Sequence, residues 1–182
     1  MPADEHTLYI ATQLDAREVL SLACQDLGLP DKIRQRPSPN LIYTQPSYVT
    51  VVPVHDPASG EDRRIRVETV ERLSEQYTDL PDLFRMIGIR TQPPRHVEVD
   101  FQILSSDYFG ASYLEIIRVV SAILRKVIGD CYWGSTGAFI PRLIRKNGQV
   151  IIDPTLGGWK ESALQALSVP FVIDKLPFDP DR

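Results

Sequence analysis

Two carboxylates, Glu98 and Asp100, stand two residues apart in a run where Val97, Val99, Phe101 and Ile103 alternate with polar residues. Such alternation marks a strand with one buried and one solvated face, so both acids project from the same side. Strand rise sets their side chains about 7 Å apart, which suits paired acid/base work. The same pattern is explained equally well by a solvated sheet face, or by an acidic surface that meets a basic partner. His96, just upstream, would belong to any pocket built around Glu98.

Other residues with chemical potential are less well supported. His55, Asp56 and Ser59 have the residue types of a catalytic triad, but all three fall in one loop, with nothing to fix base, orienter and nucleophile in place. The three histidines, His6, His55 and His96, sit near segment ends and in no metal-ligand spacing. The sequence contains no H-E-x-x-H, no C-x-x-C and no dinucleotide fingerprint. Gly134-Ser135-Thr136-Gly137 resembles half a phosphate loop, yet no Lys follows Gly137 and the run precedes a strand, which offers an anion no helix N-terminus. These residues yield no catalytic assignment, no metal and no cofactor.

Aromatic side chains carry much of the energy of protein contacts. Tyr108 and Phe109, in the loop before a helix, read as interface anchors or core, while Trp133 reads as core and Trp159 as a further anchor candidate. Arg142, Arg145 and Lys146 form a short basic cluster, expected to be a solvated edge that discourages strand pairing.

These residues need elements to position them. A first strand over 6–13 leads to Asp15, whose Glu18 three residues on makes a capping box for a helix with Val19, Leu20, Leu22, Ala23 and Leu27 inward. Gly28 and Pro30 end it. A Pro-rich loop is expected over 34–40, strands over 41–44, 48–54 and 63–68, and helical pieces from Val70, Leu73 and Tyr77 and over 82–87. Pro53 places its strand at an edge or bulge. The second half opens on the strand of Glu98 and continues with a helix over 112–128 and a short strand at Cys131-Tyr132-Trp133. A hairpin follows, turning at Asn147-Gly148, a pair suited to the positive φ angles of a type I′ turn. In that register Arg142 faces Asp153 as a cross-strand ion pair, although Pro141 marks an edge position or a bulge there. A helix over 159–167 and a strand over 171–176 close the chain.

The pattern is strand, helix, strands, then the same again, in possible halves 6–94 and 95–176. It implies a single α+β domain over residues 1–182, a largely antiparallel sheet with helices packed on one side.

The length of 182 residues is enough to bury a core without disulfides or a structural metal. Two distant cysteines, Cys24 and Cys131, read as buried free thiols. A net charge of −4 argues against general nucleic-acid binding, which needs a basic surplus. The most apolar segment, 113–128, is broken by Glu115, Arg118, Arg125 and Lys126, so no membrane span is expected. Residues 1–6 show neither a basic region nor an apolar stretch, and the cytoplasm is the expected compartment.

Leu8-Tyr9-Ile10-Ala11-Thr12-Gln13-Leu14-Asp15, running into a helix that ends Leu27-Gly28-Leu29, resembles the opening of the swarming-inhibition-toxin immunity family of polymorphic toxin systems. The helix of 113–128 leading to Gly129-Asp130, then Arg145-Lys146-Asn147-Gly148-Gln149-Val150, then Trp159 before the last helix, is similar to that family's closing region. The likeness covers about two thirds of the chain, leaves 33–94 unanchored, and departs from the family at Cys131-Tyr132-Trp133-Gly134-Ser135-Thr136-Gly137. It implies a cytoplasmic, non-enzymatic immunity protein that binds a cognate protein toxin by occlusion and carries over no catalytic residues. No cofactor, nucleic acid or membrane is expected as a partner. The expected partner-binding residues are Asp56, Glu61, Asp62, Glu98, Asp100, Tyr108 and Phe109. The rival expectations are a small enzyme around His96 and Glu98, and a scaffold or homo-oligomer subunit.

Overall fold

The computed structural model describes residues 6–37, 45–54, 63–73, 95–104, 110–135, 140–156 and 159–176. Among them nine strands form one sheet: β1 (His6–Ile10), β2 (Arg34–Arg36), β3 (Ser47–Val54), β4 (Arg63–Leu73), β5 (Arg95–Ile103), β6 (Cys131–Ser135), β7 (Ile140–Lys146), β8 (Gln149–Ile152) and β9 (Phe171–Ile173). The helices are α1 (Ala16–Asp26), α2 (Ala111–Lys126) and α3 (Glu161–Ala166). Spatial order is β2-β3-β4-β5-β1-β6-β7-β8-β9. Every pairing is antiparallel except β8 with β9, which α3 connects. The fold is α+β, as expected.

The two halves share the sheet instead of forming separate ones. β1 pairs with β5 on one side and β6 on the other, so the first strand of each half lies at the centre. α1 carries the chain from β1 out to β2, and α2 carries it from β5 over β1 to β6.

Both long helices cover the same face. Val19, Leu20 and Ala23 of α1 and Ile116, Ile117, Val120 and Ile123 of α2 join Leu8, Ile10, Val97, Val99, Phe101, Trp133 and Leu143 in one buried core. Each large side chain removed from water there contributes about 1.5–3 kcal/mol. α1 starts with the expected capping box: Glu18 N donates to Asp15 Oδ1 at 2.8 Å, and Asp15 N to Glu18 Oε2 at 2.9 Å.

The end of α2 is set by a close approach. Gly129 has φ +144°, and a Cβ there would lie 1.7 Å from the Ala11 carbonyl oxygen. Ala11 N donates to Asp130 O at 2.9 Å across that junction. Arg145, buried on β7, donates from Nη1 to Leu124 O at 2.9 Å and from Nε to Gly129 O, so a cation meets the negative end of the helix dipole. The β7–β8 turn has Asn147 at φ 51° and Gly148 at φ 79°, as a type I′ turn requires.

Several local expectations are corrected. Residues 34–36 form an edge strand, because pairing with β3 satisfies one side of their backbone although no side-chain pattern announces it. Val70 and Leu73 lie in β4, where the ladder to β5 continues through Leu73; the helical spacing of apolar residues is overridden by pairing. Arg142 and Arg145 are buried, contrary to the solvated cluster expected of them. Arg142 does not pair with Asp153: a bulge opposite Trp133 and Gly134 leaves Arg142 outside the β6–β7 register and turns it toward α2, where Nη1 donates to Tyr113 Oη at 2.9 Å. The Asp153 carboxylate instead accepts from Thr155 and from Leu176 N. Pro53, as expected, sits at an edge, past the stretch of β3 that β2 covers. The expected strand over 41–44 and helix over 82–87 lie outside the described residues.

Candidate functional site

Cross-strand partners share a face, so the registers define what stands opposite the helices. One row on that face runs Arg36, Ser47, Val70, Glu98, Tyr9, Tyr132, Ile144, Ile151, Val172, through all nine strands. The next row runs Arg34, Val49, Glu68, Asp100, Thr7, Gly134. Glu98 and Asp100 therefore sit near the middle of the face opposite α1 and α2, side by side as their alternation required.

The face is less solvated than expected. Glu98 and Asp100 are half-buried, Gln102 is exposed, and His96, Thr7, Arg72 and Tyr132 are buried. The charges there are held in fixed bonds. Arg72 Nε donates to Glu98 Oε2 at 2.8 Å, and Thr7 Oγ1 donates to Asp100 Oδ1 at 2.8 Å. Ser47 Oγ donates to Glu68 Oε1 at 2.5 Å, and Arg66 bridges Glu68 and Gln102.

Beside the acids, across β5, β1 and β6, lies an aromatic group. The Tyr9 ring stands 6.4 Å from His96, edge-on, and 6.1 Å from Tyr132. Burial, reinforced by Glu98 and Asp100, pushes the Tyr9 hydroxyl well above its ordinary range, so it stays protonated as a donor. Burial, with Arg72 nearby, pushes His96 down to about 4, leaving a neutral imidazole at pH 7. Burial also raises the Tyr132 hydroxyl, which has no hydrogen-bond partner among the described residues. Beyond it Ile144 and Leu176 form a small second core with Tyr132, and Leu156 packs against it.

This arrangement offers neutral donors and paired carboxylates instead of a free acid/base couple. Glu98 is committed to Arg72 and Asp100 to Thr7. Among the described residues no cluster of His, Cys, Asp or Glu could hold a metal ion, and no helix is long and apolar enough to cross a membrane. Burial pushes the Cys131 thiol up to about 11, so it is a poor nucleophile at neutral pH.

On the opposite face Trp133 is core, as expected, stacked on Tyr113 at 6.2 Å and edge-on to Trp159 at 5.7 Å. Trp159 is core too, donating from Nε1 to Arg142 O at 2.7 Å. Asp56, Glu61, Asp62, Tyr108 and Phe109 lie outside the described residues, as do His55 and Ser59. Of the expected site residues the structure brings together Glu98 and Asp100. Sequence reasoning missed Thr7, Tyr9, Arg72 and Tyr132 as their neighbours. Alternation with Leu8 and Ile10 already set Thr7 and Tyr9 on a polar face, but nothing local announced that β1 pairs with β5.

No family model, no curated protein and no solved structure matches this chain.

Proposed function

We propose that the protein is a non-enzymatic immunity protein of the swarming-inhibition-toxin type, which binds a cognate protein toxin in the cytoplasm and neutralises it by occlusion. The observation that carries this reading is the fixed pairing of both central carboxylates, Glu98 with Arg72 and Asp100 with Thr7. Charges already bonded within a continuous sheet make a preorganised surface, and preorganisation lowers the entropy lost when a partner docks. The features behind the family resemblance also lie at structurally demanding points: the capped start of α1, the Gly129 junction and the Asn147-Gly148 turn. No cofactor, nucleic acid or membrane enters this function.

The test is to purify this protein and the product of the neighbouring gene, the candidate toxin, and mix them. The reading expects a stoichiometric complex in sizing chromatography and loss of the toxin's activity in proportion to complex formed. Two separate peaks at micromolar concentration would reject it.

A second reading, a small enzyme centred on Tyr9, His96, Glu98 and Tyr132, draws on one observation. The Tyr132 hydroxyl is buried without a hydrogen-bond partner among the described residues, which is where a substrate polar group would be accepted. That reading expects Tyr132→Phe to abolish a turnover that the toxin-binding reading does not require.

A further inference from the structure

The arginines of this sheet and its helices are mostly committed. Arg66 meets Glu68, Arg72 meets Glu98, Arg118 meets Glu115 and Arg125 meets Asp26. Arg34 and Arg36 differ. They stand on β2, an outermost strand of the sheet, and all three residues of that strand are exposed. Their partners Val49 and Ser47 point away from the helices, so both guanidiniums share that face, about 7 Å apart along the strand. Among the described residues neither has a carboxylate partner.

An outermost strand also presents backbone. β2 pairs with β3 on one side, and on its other side alternate N–H and C=O groups point outward, a template for one more strand. β3 outruns β2, and there Val51, 48% exposed, and exposed Pro53 form an apolar shelf on the same face. Cations with no carboxylate partner among the described residues, an edge that no described strand pairs, and a short apolar shelf converge on one kind of ligand.

We infer that β2 is the docking edge for an acidic, extended segment of the protein partner, added as a further strand with carboxylates at alternate positions against Arg34 and Arg36. This rests on the toxin-binding reading and reverses its expected polarity: the central acids are internally paired, so the charge offered outward at this edge is basic. Strand addition draws affinity from main-chain hydrogen bonds and specificity from alternate side chains. A second copy does not fit, because antiparallel pairing of two β2 strands about a two-fold axis would set arginine against arginine on one face, and like charges directly opposite are destabilising. A single-stranded nucleic acid fits less well, since Val51 and Pro53 offer no aromatic stacking platform.

The experiment uses the full chain and a short fluorescein-labelled peptide alternating Glu and Val, with a Lys/Val peptide and an oligothymidylate as controls. Anisotropy should show binding of the Glu/Val peptide alone, weakened about tenfold or more by Arg34→Glu/Arg36→Glu and left unchanged by Arg17→Glu/Lys160→Glu elsewhere on the surface. Hydrogen exchange should show new protection at β2 on binding. Absent binding, binding without protection at β2, equal loss in both double variants, or an oligothymidylate that binds as well would each overturn the inference. Failure of the toxin-binding reading shows up separately, as no complex with the toxin in sizing chromatography, whatever the peptide does.

Discussion

Arg72 Nε lies 2.8 Å from Glu98 Oε2, joining β4 to β5 on the face opposite α1 and α2 with both side chains largely removed from water. Removing one member of a buried pair strands the other charge, at a cost of about 3–5 kcal/mol. Arg72→Met is therefore expected to destabilise the fold by about 3 kcal/mol in urea unfolding. Arg72→Met/Glu98→Leu together should recover most of that loss. A single variant as stable as the parent would mean that the pair is not desolvated.

His96 gives the fold a pH dependence whose sign follows from its neutral buried state. Its folded value, down to about 4, lies below the ordinary 6.5, so the unfolded chain binds the extra proton between those values. Stability is thus full above pH 6.5 and falls as pH drops toward 4, by up to about 3 kcal/mol. Urea unfolding at stepped pH should show that slope, and His96→Gln should flatten it. A parent whose stability is constant across the window would contradict the burial of the imidazole.

Gly129 and Gly148 both have positive φ, yet substitution should separate them. At Gly129 a Cβ meets the Ala11 carbonyl oxygen at 1.7 Å, while at Gly148 it meets nothing within 4 Å. Gly129→Ala is expected to cost more than about 3 kcal/mol, because backbone must shift at the β1–α2 junction. Gly148→Ala should cost about 1 kcal/mol, from the left-handed conformation alone. Equal losses in chemical denaturation would show that the junction yields.

Cys131 is fully buried, and burial pushes its thiol up to about 11, with Arg145 only partly opposing. Cys24 is also buried and raised, mainly by burial. Alkylation at neutral pH should label neither in the folded protein and both in denaturant. Rapid labelling of Cys131 in native buffer would contradict its place in the core.

Much of this architecture is legible in the residues. Alternation located β5 and set Glu98 and Asp100 on one face; Asp15 with Glu18 fixed the start of α1; Asn147-Gly148 fixed a turn. What escaped were relationships between distant segments. Thr7 and Asp100 meet because β1 inserts between β5 and β6, a long-range pairing with no local signature. Val70 continues a strand although its spacing reads as helical, since pairing to Glu98 and Ser47 decides the matter. Arg142 was aimed at Asp153 by simple hairpin register; Pro141 already marked an edge or bulge, but not that the bulge would send Arg142 to Tyr113. The edge arginines, Arg34 and Arg36, read as loop because three exposed residues bury nothing that a pattern could report.

The most direct measurement is growth of cells expressing the product of the neighbouring gene, the toxin of the proposed pairing, with and without this protein. An immunity protein predicts that the toxin alone arrests growth, that the parent chain restores it, and that Arg34→Glu/Arg36→Glu restores it poorly although folded. A toxin that still kills in the presence of abundant, folded parent protein would contradict the immunity function itself.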